Sequence, residues 1–294
     1  MAIVDTGAPD EMDDEGREFV RYELIKSTAI ITLNRPEYGN AQNYRMLDHL
    51  DGCFIRAAND DAVAAIILRG AGKHFSSGHD IGSPGRDKHL PRKRSSLWYD
   101  HLTATGAEKQ YALEQDAFLH YCRRWQEIPK PTIAMVQGAC IAGGLMLAWI
   151  CDVIVAAENA YFQDPVVRMG IPGVEYFAHA FELPPRIAKE FLLFGQRMSA
   201  ERAYHFGMVN RVVPLDQLEA EAMALAREVA DRPRFAVAMT KQAINLVEDL
   251  RGKRLAMDGV FQMHHLAHAH NSMVSGSHIG NHDAASMAAT NHDE

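Results

Sequence analysis

The residues able to do chemistry fall into a few short segments. The stretch 140-CIAGGLMLAWICD-152 enters an apolar run through Ala142, Gly143 and Gly144. A double glycine ahead of a helix lets another molecule approach the backbone without meeting a Cβ. The unbonded N–H groups of a helix start also favour negative charge. No acid, base or nucleophile follows, because Leu145, Met146, Leu147, Ala148 and Trp149 are apolar or aromatic. A second glycine turn, Ser76-Ser77-Gly78-His79-Asp80, carries two titratable groups, His79 and Asp80. Asp80 can cap the next turn with its carboxylate or touch a ligand. His79 can line a binding channel or stand in solvent. Further along, FQDPVV supplies Asp164, and GIPGVEYFAHA supplies Glu175, Tyr176 and His179. Backbone donors near a helix start suit an oxyanion, and nearby carboxylates suit proton transfer.

Two other patterns invite a ligand. RDKHLPRKR (86–94) holds five Lys/Arg, which suits either phosphate binding or a solvated face. His264 and His268 stand at i, i+4 on a helical stretch, a spacing that puts two metal ligands on one face. They have no HExxH or cysteine-pair partner in sequence, so no metal site is expected, and the C-terminal histidines read as a helix plus a tail. GxxxxGK[ST] and GxGxxG are both absent, which leaves nucleotide hydrolysis and NAD chemistry without support.

The elements that position these groups follow from hydrophobic periodicity. FVRYELIKSTAIITL (19–33) reads as a β-hairpin turning near Lys26–Thr28. Residues 42–58 read as an amphipathic helix, 62–70 as a buried strand, and 107–127 as a long helix. TIAMVQG (132–138) is a β-branched strand, and 151–163 holds two short strands. Strand, helix and strand alternate, which predicts an α/β fold with crossover connections. The parts are an acidic tail at 1–18, a core at 19–214, a helical region at 215–271 and a loose tail at 272–294.

Composition bounds the rest. Hydrophobic residues make up 47% and charged residues 23% of 294, and the net charge is −8, which disfavours nucleic acid as a partner. The four cysteines show no CxxC spacing, as expected of reduced thiols in a cytoplasmic protein. No apolar run is long enough to span a membrane, and the acidic N-terminal segment lacks the features of a signal peptide.

Five segments together resemble the crotonase superfamily, the enoyl-CoA hydratase/isomerase family. They are LNRPEYGNA (33–41), GKHFSSGHDI (72–81), 130–162, GIPG (170–173) and FGMVNRVVP (206–214). The resemblance implies a ClpP-like spiral of ββα units, a helical C-terminal trimerisation region, and a homotrimer or dimer of trimers. It implies an acyl-CoA thioester as ligand, with coenzyme A part of the substrate and no separate cofactor. It implies an oxyanion hole built from the N–H groups of Ser77 and Gly143. Ser76, Gly78, His79, Asp80, Ala142 and Gly144 are then the expected contacts of the thioester. The family's two hydratase glutamates map to Met146 and Val166. Neither side chain carries protons, so simple enoyl-CoA hydration is not expected. Glu175 or Asp164 is the expected substitute acid/base, with His179 and Tyr176 as further options. The alternatives are an isomerase, hydrolase or C–C lyase acting on a bulkier acyl-CoA, or a catalytically degenerate binding protein.

Overall fold

The computed structural model describes residues 18–83, 87 and 104–289. The basic run at 86–94 lies outside them apart from Asp87. The chain opens with β1 (Val20–Ile25), β2 (Thr28–Leu33), α1 (Tyr44–Asn59) and β3 (Ala65–Gly70). Next come α2 (Gly106–Glu114), a π-helical stretch (Gln115–His120) and α3 (Tyr121–Gln126), then β4 (Thr132–Val136), β5 (Ala139–Ile141) and α4 (Gly143–Trp149). The strands β6 (Val153–Ala157) and β7 (Tyr161–Gln163) precede α5 (His179–Glu182), α6 (Pro185–Phe194), β8 (Met198–Ser199), α7 (Ala200–His205) and β9 (Arg211–Val213). The C-terminal part is helical, with α8 (Leu218–Ala230), α9 (Arg234–Leu250), α10 (Lys253–Ser275) and α11 (Ala284–Ala289).

A six-stranded sheet runs in the order β1-β2-β3-β4-β6-β9, and a three-stranded sheet runs β5-β7-β8. Only β1 is antiparallel in the larger sheet. Its central strands are apolar on both faces because both faces are covered. Ile66, Leu68, Ala134 and Val136 join the main core, whereas Ala65, Ile67, Ile133 and Met135 pack with Leu218, Ala222 and Ala226 of α8. The alternation has the period of two that a pleated strand imposes. The helix α1 starts where Asn43 accepts a hydrogen bond from Met46 N at 2.9 Å, a side-chain N-cap. It turns Met46, Leu47, Leu50 and Phe54 inward.

Two departures from the sequence reading bear on function. The helix expected at 107–127 contains a π-helical stretch, which rotates Phe118 and Asp116 into the interior. Residues 272–289 do not form a structureless tail. The helix α10 continues to Ser275, and α11 follows with Met287 buried. The inward stripe of α10 runs Met257, Phe261, His264, His268 and Asn271, all buried. The i+3/i+4 spacing is that of an ordinary amphipathic helix, but the stripe changes from hydrocarbon to imidazole halfway along. No helix among the described residues is long and apolar enough to cross a membrane.

Candidate active site

A cavity of about 500 Å³ opens between the two glycine turns, α2, the π-helical stretch and α10. That size falls within the range of small-molecule sites. Much of its wall is apolar, including Ile141, Val166, Ile171, Val174, Phe118 and, from the C-terminal end, Ile279 and Met287. Its polar groups are His79, Asp80, Glu114, Glu175, His264 and His268, among a few others.

The glycine turns meet at the base of this cavity. A Cβ on Gly78 would lie 3.3 Å from Gly143 N and 2.8 Å from Ile141 O, so the two backbones approach as only glycine permits. Gly78 itself has φ +97°. Ala142, just before α4, also takes a positive φ of 47°, a strained conformation for a residue with a Cβ.

The expected donor Ser77 meets an obstacle. Its N–H is already given to Gly39 O at 2.9 Å. A bonded N–H cannot also stabilise a ligand oxyanion at full strength. His79, two residues on, differs. The neighbouring Gly78 O accepts from Gln42 N and Asp80 N donates to Gln42 O, whereas no hydrogen bond takes the N–H of His79 or Gly143 among the described residues. Two backbone donors therefore remain, but the first belongs to His79.

The other expected contacts divide. Ser76 is fully buried behind the loop, where its Oγ accepts from Gln42 and donates to Asn40 O, so it is structural. Gly144 is also inside, since a Cβ there would strike Ser76 O at 2.6 Å. Asp80 acts as a cap, accepting from Ser83 N at 2.9 Å and pairing with Arg35 at 2.9 Å while one edge lines the cavity. Burial opposes its charge, but the bonds from Ser83 and Arg35 prevail and hold its carboxyl below the usual range.

Of the four acid/base options, the structure places only Glu175 on the cavity wall. Asp164 is wholly buried and bonded to His179 Nε2 at 2.8 Å, with Val166 N and Val174 N also donating to it. The chain after Gln163 leaves the strand and enters a 3-10 turn at Val166–Met169. Asp164 and Val166 therefore do not share a face as strand neighbours would: Val166 lines the cavity, and Asp164 faces His179 in the interior. Tyr176 is also buried, with its hydroxyl donating to Gln126 Oε1 at 2.6 Å.

Glu175 is 4% exposed, and its Oε2 lies 2.9 Å from His79 Nε2. Its Oε1 lies 3.6 Å from His264 Nε2. Burial raises its pKa most strongly, but the attraction of His79 and His264 outweighs burial and keeps the carboxyl below its ordinary value. Glu175 is thus a carboxylate at neutral pH and a base rather than an acid. The His79 ring is held over this base by Phe118, stacked at 3.9 Å between centroids and 17° between planes.

Glu114 is the group that sequence reasoning missed. It closes α2, and its Oε2 faces His264, His265 and His268 at 3.6, 3.3 and 3.5 Å. Burial opposes its charge, yet the imidazoles of His264 and His268 beside it prevail and hold it well below the carboxylate range. For His264 burial works against the proton, but Glu114 and Glu175 raise its pKa to about 9. For His265 burial dominates and lowers it to about 4, leaving a neutral ring. Nothing in the sequence links residue 114 to residues 264–268. The only available hint was the i, i+4 histidine pair itself.

The spiral of parallel strands, the glycine-turn pair and the helical C-terminal region define the crotonase fold. The sequence profile of the enoyl-CoA hydratase/isomerase family matches residues 23–279, and the chain belongs to that family. EchA13 of Mycobacterium tuberculosis, which carries an enoyl-CoA hydratase name, is 41% identical over 89% of this chain and 84% of its own length. The 1,2-epoxyphenylacetyl-CoA isomerase of Escherichia coli is 31% identical over 79% of this chain and 83% of its own. The crystal structure of a probable enoyl-CoA hydratase from Mycobacterium smegmatis superposes with TM-score 0.80 at 44% identity, covering 88% of this chain and 98% of that one.

Proposed function

We propose that this chain is an enzyme that binds an acyl-CoA thioester, holds the thioester oxygen between the N–H groups of His79 and Gly143, and moves a proton with Glu175. The observation that carries the reading is an ionised, buried carboxylate on the cavity wall beside two unclaimed backbone donors. Donors fixed before the reaction stabilise charge that develops on the oxygen, and removing one such donor costs about 100- to 1000-fold in rate. Abstraction of a proton next to the thioester carbonyl places negative charge on that oxygen. Glu175 takes the proton, and His79 donates from Nε2 to its other face and fixes its orientation.

The reaction class follows from what is absent. Val166 stands on the wall and Met146 is buried in the core, so neither hydratase position supplies a carboxylate. A single base can remove a proton and return it to another carbon, as in double-bond isomerisation. Syn hydration needs a second group for water. The name of the E. coli relative, an isomerase of an epoxyphenylacetyl-CoA, supports isomerisation over hydration in general and not a particular bond. The apolar walls favour an acyl group larger than crotonyl, and the proton transfer needs no separate cofactor. The test is a panel of acyl-CoA thioesters of graded size assayed for both hydration and isomerisation. Rapid hydration of crotonyl-CoA overturns the reading.

A second reading, a catalytically silent thioester-binding protein, is favoured by the same loss at Met146 and Val166. Saturable binding with no turnover or proton exchange on any thioester supports it instead. A homotrimer or dimer of trimers is proposed as the assembly. Exposed apolar residues on α9 and α10, among them Phe235, Ile244, Leu250, Leu255 and Leu266, support it, and light scattering checks it.

A further inference from the structure

We propose that Glu114, His264 and His268 bind a divalent transition-metal ion of the zinc class on the wall of the acyl cavity. This goes beyond the thioester reading and does not depend on it. The three ligand atoms lie within 4.8 Å of one another, and all three residues are buried.

Each ligand is oriented from behind. His264 Nδ1 lies 2.8 Å from Gly173 O, and His268 Nδ1 lies 2.7 Å from His278 O. A carbonyl oxygen only accepts, so both Nδ1 atoms carry hydrogen. In the neutral ring this leaves the Nε2 lone pair aimed at the shared point. A histidine whose far nitrogen donates to a backbone carbonyl is the usual outer arrangement of a metal ligand. Gln110 Nε2 donates to Glu114 Oε1, which leaves Oε2 as the ligating atom. Glu114 Oε2 and His264 Nε2 are both buried without a hydrogen-bond partner. Buried polar atoms are rarely left in that state.

The distances decide between an ion and a bare ion pair. Charge-assisted contacts between a carboxylate and an imidazolium close to about 2.7–2.9 Å. Here the oxygen stands 3.6 Å from His264 Nε2 and 3.5 Å from His268 Nε2. Bonds of about 2.0–2.1 Å in a tetrahedral site put neighbouring ligand atoms about 3.3–3.4 Å apart. The two oxygen-to-nitrogen spacings are therefore close to the edge of a tetrahedron, and all three ligand atoms lie within 4.8 Å of one another. Two imidazoles and a carboxylate suit zinc, and they do not suit calcium or magnesium, which prefer oxygen. The fourth ligand comes from the cavity, either an oxygen of water or substrate, or Glu175 Oε1, which lies 3.6 Å from His264 Nε2.

The experiment uses the full, untagged chain, stripped with a chelator and titrated with Zn²⁺ by calorimetry and with Co²⁺ by visible spectroscopy. One ion per chain and the intense visible bands of four-coordinate cobalt are expected. Glu114→Gln and His268→Ala each weaken zinc binding by at least ~10-fold, and Gln110→Ala weakens it by roughly 10- to 100-fold. The exposed His270→Ala and His282→Ala leave it unchanged. Circular dichroism checks that each variant is folded, and Gln110→Ala decides the matter if a ligand variant is not. The site is overturned by the lack of saturable 1:1 binding, or by binding that survives Glu114→Gln and His268→Ala.

Discussion

Replacing Glu175 by Gln tests the proposed chemistry with the least disturbance of shape. The side chain keeps its volume in a position only 4% exposed, so packing is preserved. What changes is charge. Glutamine cannot accept the substrate proton, and loss of a positioned general base costs about 100- to 10,000-fold. That corresponds to roughly 2.7–5.5 kcal/mol in the barrier. The substitution has a second, independent signature. The negative charge of Glu175 helps to raise the pKa of His264 to about 9. In metal-free Glu175→Gln protein the His264 resonance should titrate at a lower pH than in the parent. The assay for chemistry is deuterium wash-in at the carbon next to the thioester, followed by NMR on a saturated acyl-CoA. It reads proton abstraction directly and does not require the natural substrate. Exchange within about threefold of the parent, in a protein whose His264 shift shows the charge to be gone, refutes Glu175 as the base.

Four further outcomes are expected. Gly143→Ala should displace His79, because the new Cβ would fall 2.6 Å from its Cε1; overpacking of about 1–3 kcal/mol and a loss of proton exchange together identify it in melting and exchange assays. Asp164→Asn should act on stability, replacing the carboxylate bonded to buried His179 at a cost of about 1–3 kcal/mol in denaturant titration, while KM in the surviving folded protein is unchanged. Met146→Glu buries a carboxyl at a 2% exposed site and should sharply lower Tm, whereas Val166→Glu reaches the cavity and should be far better tolerated. In metal-free protein His264 binds its proton more tightly folded than unfolded. Its contribution to stability is thus complete below pH ~6.5 and is lost as pH rises toward 9, a trend that His264→Gln removes in pH-dependent melts.

The sequence disclosed the parallel sheet and α1 well, because apolar periodicity reports burial and both faces of β3 and β4 are buried. The family resemblance also pointed to two glycine turns at one site, and these meet at the base of the cavity. It did not disclose which N–H is free. Ser77 and His79 are equally plausible by spacing, and only the pairing with Gly39 and Gln42 separates them. Asp164 does not serve as the acid/base because the strand β7 ends at Gln163 and the turn that follows sends its carboxylate inward to His179. The Glu114 cluster was illegible because α2 and α10 are brought together only by tertiary packing, and the π-helical stretch that follows Glu114 has no periodic signature.

The far wall of the cavity has a consequence for how such enzymes diversify. Ile279 and Met287 come from a short segment that follows the last long helix and contributes nothing to either sheet. The part that closes the far wall of the cavity is therefore separate in the chain from the part that builds its floor. Under the proposed thioester chemistry, exchange, extension or shortening of this segment is expected to change which acyl chains fit and to leave both sheets unaltered.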